Sequence, residues 1–154
     1  MKKLFSILLM LVLVVTIFAG CGGDKKGDEA AALKDGTYTA EEADFDEKSG
    51  WKDNVTIEVK DGKIAKVDWN STHKDGGKDK KTFSKDGDYA MVAKGNAIAE
   101  WHEQAEKVEE FLVEKQDVSA IDVKDDGKTD TIAGVTMNVD GFVDLVKDAL
   151  SKAK

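Results

Sequence analysis

The chain has 154 residues, a net charge of −8 at pH 7, one cysteine and no proline. So acidic a surface repels nucleic-acid phosphate and anionic headgroups, and no nucleic-acid partner is expected. A single thiol forms neither an internal disulfide nor a thiolate zinc or iron–sulfur site, so stability must come from packing one core.

The N-terminus reads as an export leader. Lys2 and Lys3 precede an apolar run from Leu4 to Phe18 that is short for a membrane span. Phe18-Ala19-Gly20-Cys21 resembles a bacterial lipobox, with phenylalanine where leucine is commoner. The resemblance implies a signal peptide over residues 1–20 and acylation of Cys21. Lipid anchoring then places the domain on the extracytoplasmic face of the cell membrane. An alternative reading makes Leu13 to Gly20 an apolar signalling peptide released from the leader. Gly22 to Leu33 is small, charged and aperiodic. Residues 21–33 therefore form the lipidated cysteine and a flexible tether, which spans about 20 Å by the ~5–6 Å × √n rule.

The folded part is read over residues 34–152. Thr37 to Ala40 is a short strand candidate. Asn54 to Lys60 alternates, with Val55, Ile57 and Val59 on one face. Asp61-Gly62 signals a hairpin turn, and Ile64 to Asn70 follows with Ala65, Val67 and Trp69 alternating. Ser71 to Asp88 is polar and rich in lysine and glycine, and reads as a long loop. Lys-Asp-Gly occurs at 34–36, 60–62, 74–76 and 85–87, at irregular spacings that suggest turns and not a repeat. Asp44-Phe45-Asp46 and Asp86-Gly87-Asp88 lack the spacing of a calcium loop. Two isolated histidines, His73 and His102, make no metal site, so none is expected.

Asn96 to Gln116 is predicted as a helix, with Ile98, Trp101, Ala105, Val108, Phe111 and Leu112 on one stripe. Val118 to Val123 is predicted as a short strand. A last helix starts near Asn138 or Val139 and buries Phe142, Val143, Val146 and Leu150. The fold class is α+β: a small antiparallel or mixed sheet, centred on a hairpin, packed with a long amphipathic helix and a C-terminal helix.

Between the last two elements stands Asp130-Thr131-Ile132-Ala133-Gly134-Val135-Thr136. Small residues leave one hydroxyl, Thr136, open to a modifying enzyme. The segment resembles the flavin-attachment motif of the FMN-binding domain family, Asp-x-x-Ser-Gly-Ala-Thr. Asp130, Gly134 and Thr136 match, while Ala133 replaces the serine and Val135 the alanine. Asp35-Gly36-Thr37-Tyr38, Trp51-Lys52-Asp53 with the hairpin Val55 to Ile64, and Val113-Glu114-Lys115-Gln116 resemble the family elsewhere. The likeness covers roughly Lys34 to Leu150 and is greatest to small lipid-anchored members.

The resemblance implies a flavin-carrying electron-transfer protein and not a stand-alone enzyme. Thr136 would hold FMN through a phosphoester made by a flavin transferase. Asp130 would mark the segment for that enzyme, and Gly134 would allow close backbone approach. A membrane dehydrogenase or quinol would supply electrons. A helix starting just after Thr136 would set free N–H groups near the phosphate; read alone, Thr136 is also a helix N-cap. Trp51, Trp69 and Trp101 are candidates for flavin stacking or for the core, and His102 is a candidate hydrogen-bond partner. The alternative function is a non-redox surface lipoprotein, a binding or accessory module.

Overall fold

The computed structural model describes residues 32–154. The leader, Cys21 and the tether through residue 31 lie outside the described residues. Three strands, β1 (Gly36–Glu41), β2 (Trp51–Lys60) and β3 (Lys63–His73), form an antiparallel sheet in the order β1-β2-β3. The fold is α+β, as the order of elements suggests.

The β2–β3 hairpin turns through Asp61 and Gly62, with φ of 53° and 74°. Two positive φ values in a two-residue loop match the right-handed twist of the strands it joins. Val55, Ile57 and Val59 fill one face of β2 and are almost wholly buried. The register shifts between Glu58 and Val59, so that Glu58 pairs with Lys66 but Val59 pairs with Ile64. Ala65 is the extra residue of this bulge and is exposed. The expected alternation through Ala65 is therefore corrected: Ile64, Val67 and Trp69 share the buried face.

Beyond β3 the chain departs from the expected long loop. The strand runs on to His73, and Lys80–Lys85 is a short helix, α1. Asp79 caps it by accepting from the Thr82 amide at 3.0 Å. A second short helix, α2, spans Met91–Gly95. The expected helix from Asn96 begins later, as α3 (Trp101–Lys115). Asn96 sits at φ 51° and ends α2. Ile98, expected on the buried stripe, is 66% exposed. The carboxylate of Glu100, just before α3, accepts from the Met91 and Val92 amides and so caps α2.

The expected strand at Val118 to Val123 is absent; Val118–Ala120 is a single 3-10 turn. Its cause is local, because the Asp117 carboxylate accepts from the Ser119 amide at 2.9 Å and pulls the backbone into a turn. The last helix, α4, is Asp140–Ser151. It buries Phe142, Val143, Leu145, Val146 and Ala149, while Leu150 is half-buried.

Helices α3 and α4 cover the apolar face of the sheet, α3 over β3 and α4 over β1 and β2. The outer edge of β3 is covered by side chains of α3. Glu109 accepts from the Trp69 amide at 2.6 Å, and Gln116 brackets Ile64, accepting from its N–H and donating to its carbonyl, both at 2.8 Å. These bonds satisfy strand groups that would otherwise template pairing with another chain. Burial pushes the Glu109 carboxyl up from its ordinary value, and Lys81 meets it at 2.7 Å.

Candidate functional site

The segment leading to Thr136 is held from both sides. Val139 donates to the Gly127 carbonyl at 2.7 Å, and Asp122 donates to the Thr131 hydroxyl at 3.2 Å. Within it, Ile132 to Val135 forms a β-turn closed by the Val135 amide on the Ile132 carbonyl at 3.3 Å. Gly134, third in the turn, has φ of 82°, the value a type II turn requires there and one that glycine adopts freely. Ile132 and Val135 are buried in the core, whereas Ala133 and Thr136 are exposed. The turn thus plants two apolar anchors and leaves the Thr136 side chain at the surface.

Thr136 does not cap the last helix. Helix α4 starts four residues later, and its N-cap position is Val139. The helix thus starts one residue beyond the expected Val139, and the reading of Thr136 as its N-cap is corrected. The Thr136 amide is instead taken by Gln104 of α3, which is fully buried. Its Oε1 accepts from the Thr136 amide at 2.7 Å and the Met137 amide at 3.2 Å, and lies 3.3 Å from the Thr136 hydroxyl. Its Nε2 donates to the Ala99 carbonyl at 2.9 Å. Gln104 therefore ties the Thr136 turn to the start of α3.

Two charges flank the turn. A Cβ on Gly134 would run into the Lys107 ammonium, so the cation lies directly against the glycine. Lys107 is exposed and makes no ion pair among the described residues. Asp130 is exposed and pairs with Lys124, whose ammonium it holds above its ordinary range.

Of the other candidates, Trp101 and His102 lie on the first turn of α3, Trp69 on β3 and Trp51 at the start of β2. Trp101 is buried edge-on against Trp69, with centroids 5.5 Å apart. His102 receives α1, with Nδ1 2.9 Å from the Ser84 hydroxyl. Trp69 is also core, 4.9 Å from Phe142, and its Nε1 donates to Asp53 at 3.1 Å.

Sequence reasoning missed Gln104, Lys107 and Lys80. Gln104 was legible as a polar residue inside the apolar stripe between Trp101 and Val108. Lys80 carried no signal within a lysine-rich run. It is 9% exposed, and its ammonium lies 4.7 to 5.8 Å from the ring centres of Trp101, Tyr89 and Trp51. Burial holds that ammonium below its ordinary range, against the pull of Asp53 at 3.7 Å. The two Asp-x-Asp segments are locally engaged. Asp46 caps its own turn through the Ser49 amide at 2.6 Å, and Asp86 and Asp88 pair with Lys78. Among the described residues no group of three or more His, Cys, Asp or Glu could hold a metal ion.

No family model matches the chain. A solution structure of a Clostridium thermocellum protein is similar at 62% identity and a TM-score of 0.60, over 79% of this chain and 93% of that one. The chain belongs to that protein's family. A crystal structure of a Clostridium perfringens protein is similar at 32% identity and a TM-score of 0.62, over 79% of this chain and 88% of that one. A 15 kDa lipoprotein of Treponema pallidum is 27% identical over 124 residues, 80% of this chain and 79% of that protein. A lipoprotein thus stands among the relatives.

Proposed function

We propose that the chain is a lipid-anchored extracytoplasmic protein that accepts FMN on Thr136 and carries electrons. The observation that carries this reading is the exposed Thr136 side chain, on a turn fixed by Gly134 and anchored by the buried Ile132 and Val135. The motif resemblance and the lipobox-like leader support it, as does a lipoprotein among the relatives. Bound there, FMN would supply the redox chemistry.

The residues present fit that group. Lys107 offers an ammonium against the turn, free of any ion pair among the described residues, for the phosphate of the ester. Gln104 holds the Thr136 backbone, so the hydroxyl presents from a fixed base. Asp130 stands exposed at the start of the segment, open to a flavin transferase. A membrane dehydrogenase or quinol would be the electron donor.

The test is co-expression with a flavin transferase, denaturation, and detection of flavin fluorescence that migrates with the protein. Thr136→Ala should abolish it. A colourless wild-type product, or equal labelling of the variant, sinks the reading.

A second reading, a non-redox accessory or binding lipoprotein, is favoured by Ala133 and Val135, which depart from the flavin-attachment pattern. It expects a native protein carrying lipid and no flavin, which intact mass distinguishes.

A further inference from the structure

Near the start of β2 four rings meet, from β2, β3, α1 and the segment between α1 and α2. Trp51 lies 4.9 Å from His73 at the end of β3, 5.7 Å from Phe83 of α1 and 6.3 Å from Tyr89, by ring centres. The planes are inclined by 55° to 85°, so none of these pairs is stacked; Trp51 is nearly buried, while His73, Phe83 and Tyr89 are half-buried. They wall an open cavity of about 490 Å³. That falls in the range of ligand sites, about 300–1,000 Å³. We propose that this cavity binds a planar aromatic ring system, uncharged or anionic.

The chemistry narrows the guest. Aromatic cages commonly take cations. Here the protein's own Lys80 ammonium already lies 5.8 Å from the Trp51 ring and 5.5 Å from Tyr89. A second cation on these rings would meet like charge. Sugars also lie on aromatic walls, but they need several free polar groups. Few polar groups line the cavity, and the charged ones are paired. Lys78 is held by Asp86 at 2.6 Å and Asp88 at 3.1 Å. His73 faces Asp75 through Nδ1 at 3.5 Å, and its Nε2 packs against Gly50. What remains is ring surface, which suits a flat apolar guest. The rim is open at Gly76 and Gly77, where a Cβ would meet nothing within 4 Å.

The proposal does not need attachment at Thr136, so the two ideas fail separately. Riboflavin is a suitable probe, because it is planar, uncharged and lacks the phosphate of an ester. The full chain is titrated with riboflavin, with tryptophan fluorescence as the readout and choline and glucose as comparison ligands. Saturable quenching is expected, weakened at least tenfold in Tyr89→Ala and in His73→Ala and unchanged in Thr136→Ala. Should Tyr89→Ala fail to fold by circular dichroism, His73→Ala decides. Absent saturation, equal binding by the folded variants, or tighter binding of choline or glucose overturns the proposal.

Discussion

Replacing Gln104 by leucine removes the tie between α3 and the Thr136 turn while keeping the side-chain volume similar. Four hydrogen bonds are lost: those from the Thr136 amide and hydroxyl and the Met137 amide, and that to the Ala99 carbonyl; the hydroxyl of the exposed Thr136 turns to water, which leaves three groups to count. A buried polar group left unpaired costs about 1–3 kcal/mol. Thr136 is exposed, and Met137 and Ala99 are half-buried, so water reaches all three and the low end applies. The loss is then about 3 kcal/mol. Leucine recovers about 1 kcal/mol through its more apolar surface. The net destabilisation is about 2 kcal/mol, or roughly 8 °C in Tm for a domain of this size. Urea denaturation followed by circular dichroism measures the first figure. Amide exchange at Thr136 and Met137 measures the local effect, which should be a marked acceleration. A loss below about 0.5 kcal/mol, the size of a neutral surface change, with unchanged exchange at both amides would refute the role given to Gln104.

Two other substitutions separate packing from acceptance. Val135→Ala restores the residue usual in the flavin-attachment pattern but empties a buried site. It should cost about 2 kcal/mol, from two lost carbons and the cavity behind them, while flavin labelling is retained; thermal melts and in-gel fluorescence check both. Asp79→Ala should cost about 1 kcal/mol through loss of the α1 cap. Burial opposes the charged form of Asp79, but bonds from Thr82 and Asn70 outweigh it and hold the carboxyl below its ordinary 3.8. A depressed carboxyl stabilises the fold above its unfolded value and loses that contribution as pH falls through its folded value. The gap between wild type and Asp79→Ala should therefore be full at neutral pH and close below about pH 3.8, as read by urea midpoints across pH.

The hairpin was legible because its signals agree. Asp61-Gly62 supplies two positive φ values, and Val55, Ile57 and Val59 alternate on one face. The bulge at Ala65 was not legible, since one extra residue changes pairing without changing composition. Helix α1 was hidden because Lys80 packs on aromatic faces and against Asp53, not through apolar periodicity. The start of α3 was misplaced because Ile98 keeps helical spacing from Trp101 although Asn96 breaks the backbone at φ 51°. At the candidate site, the glycine and the exposed threonine followed from residue type, whereas the burial of Val135 did not. The partners Gln104 and Lys107 come from α3, about thirty residues away, and only tertiary packing brings them there.

The most direct test of the flavin claim is peptide mapping of the protein after co-expression with a flavin transferase. Cleavage after Lys128 and Lys147 yields one peptide holding Thr129, Thr131 and Thr136. Thr129 is buried, whereas Thr131 and Thr136 are both exposed, so accessibility alone does not choose between the last two. A single FMN adduct that fragmentation places on Thr136 is expected. An unmodified peptide, or an adduct on Thr131, would contradict it.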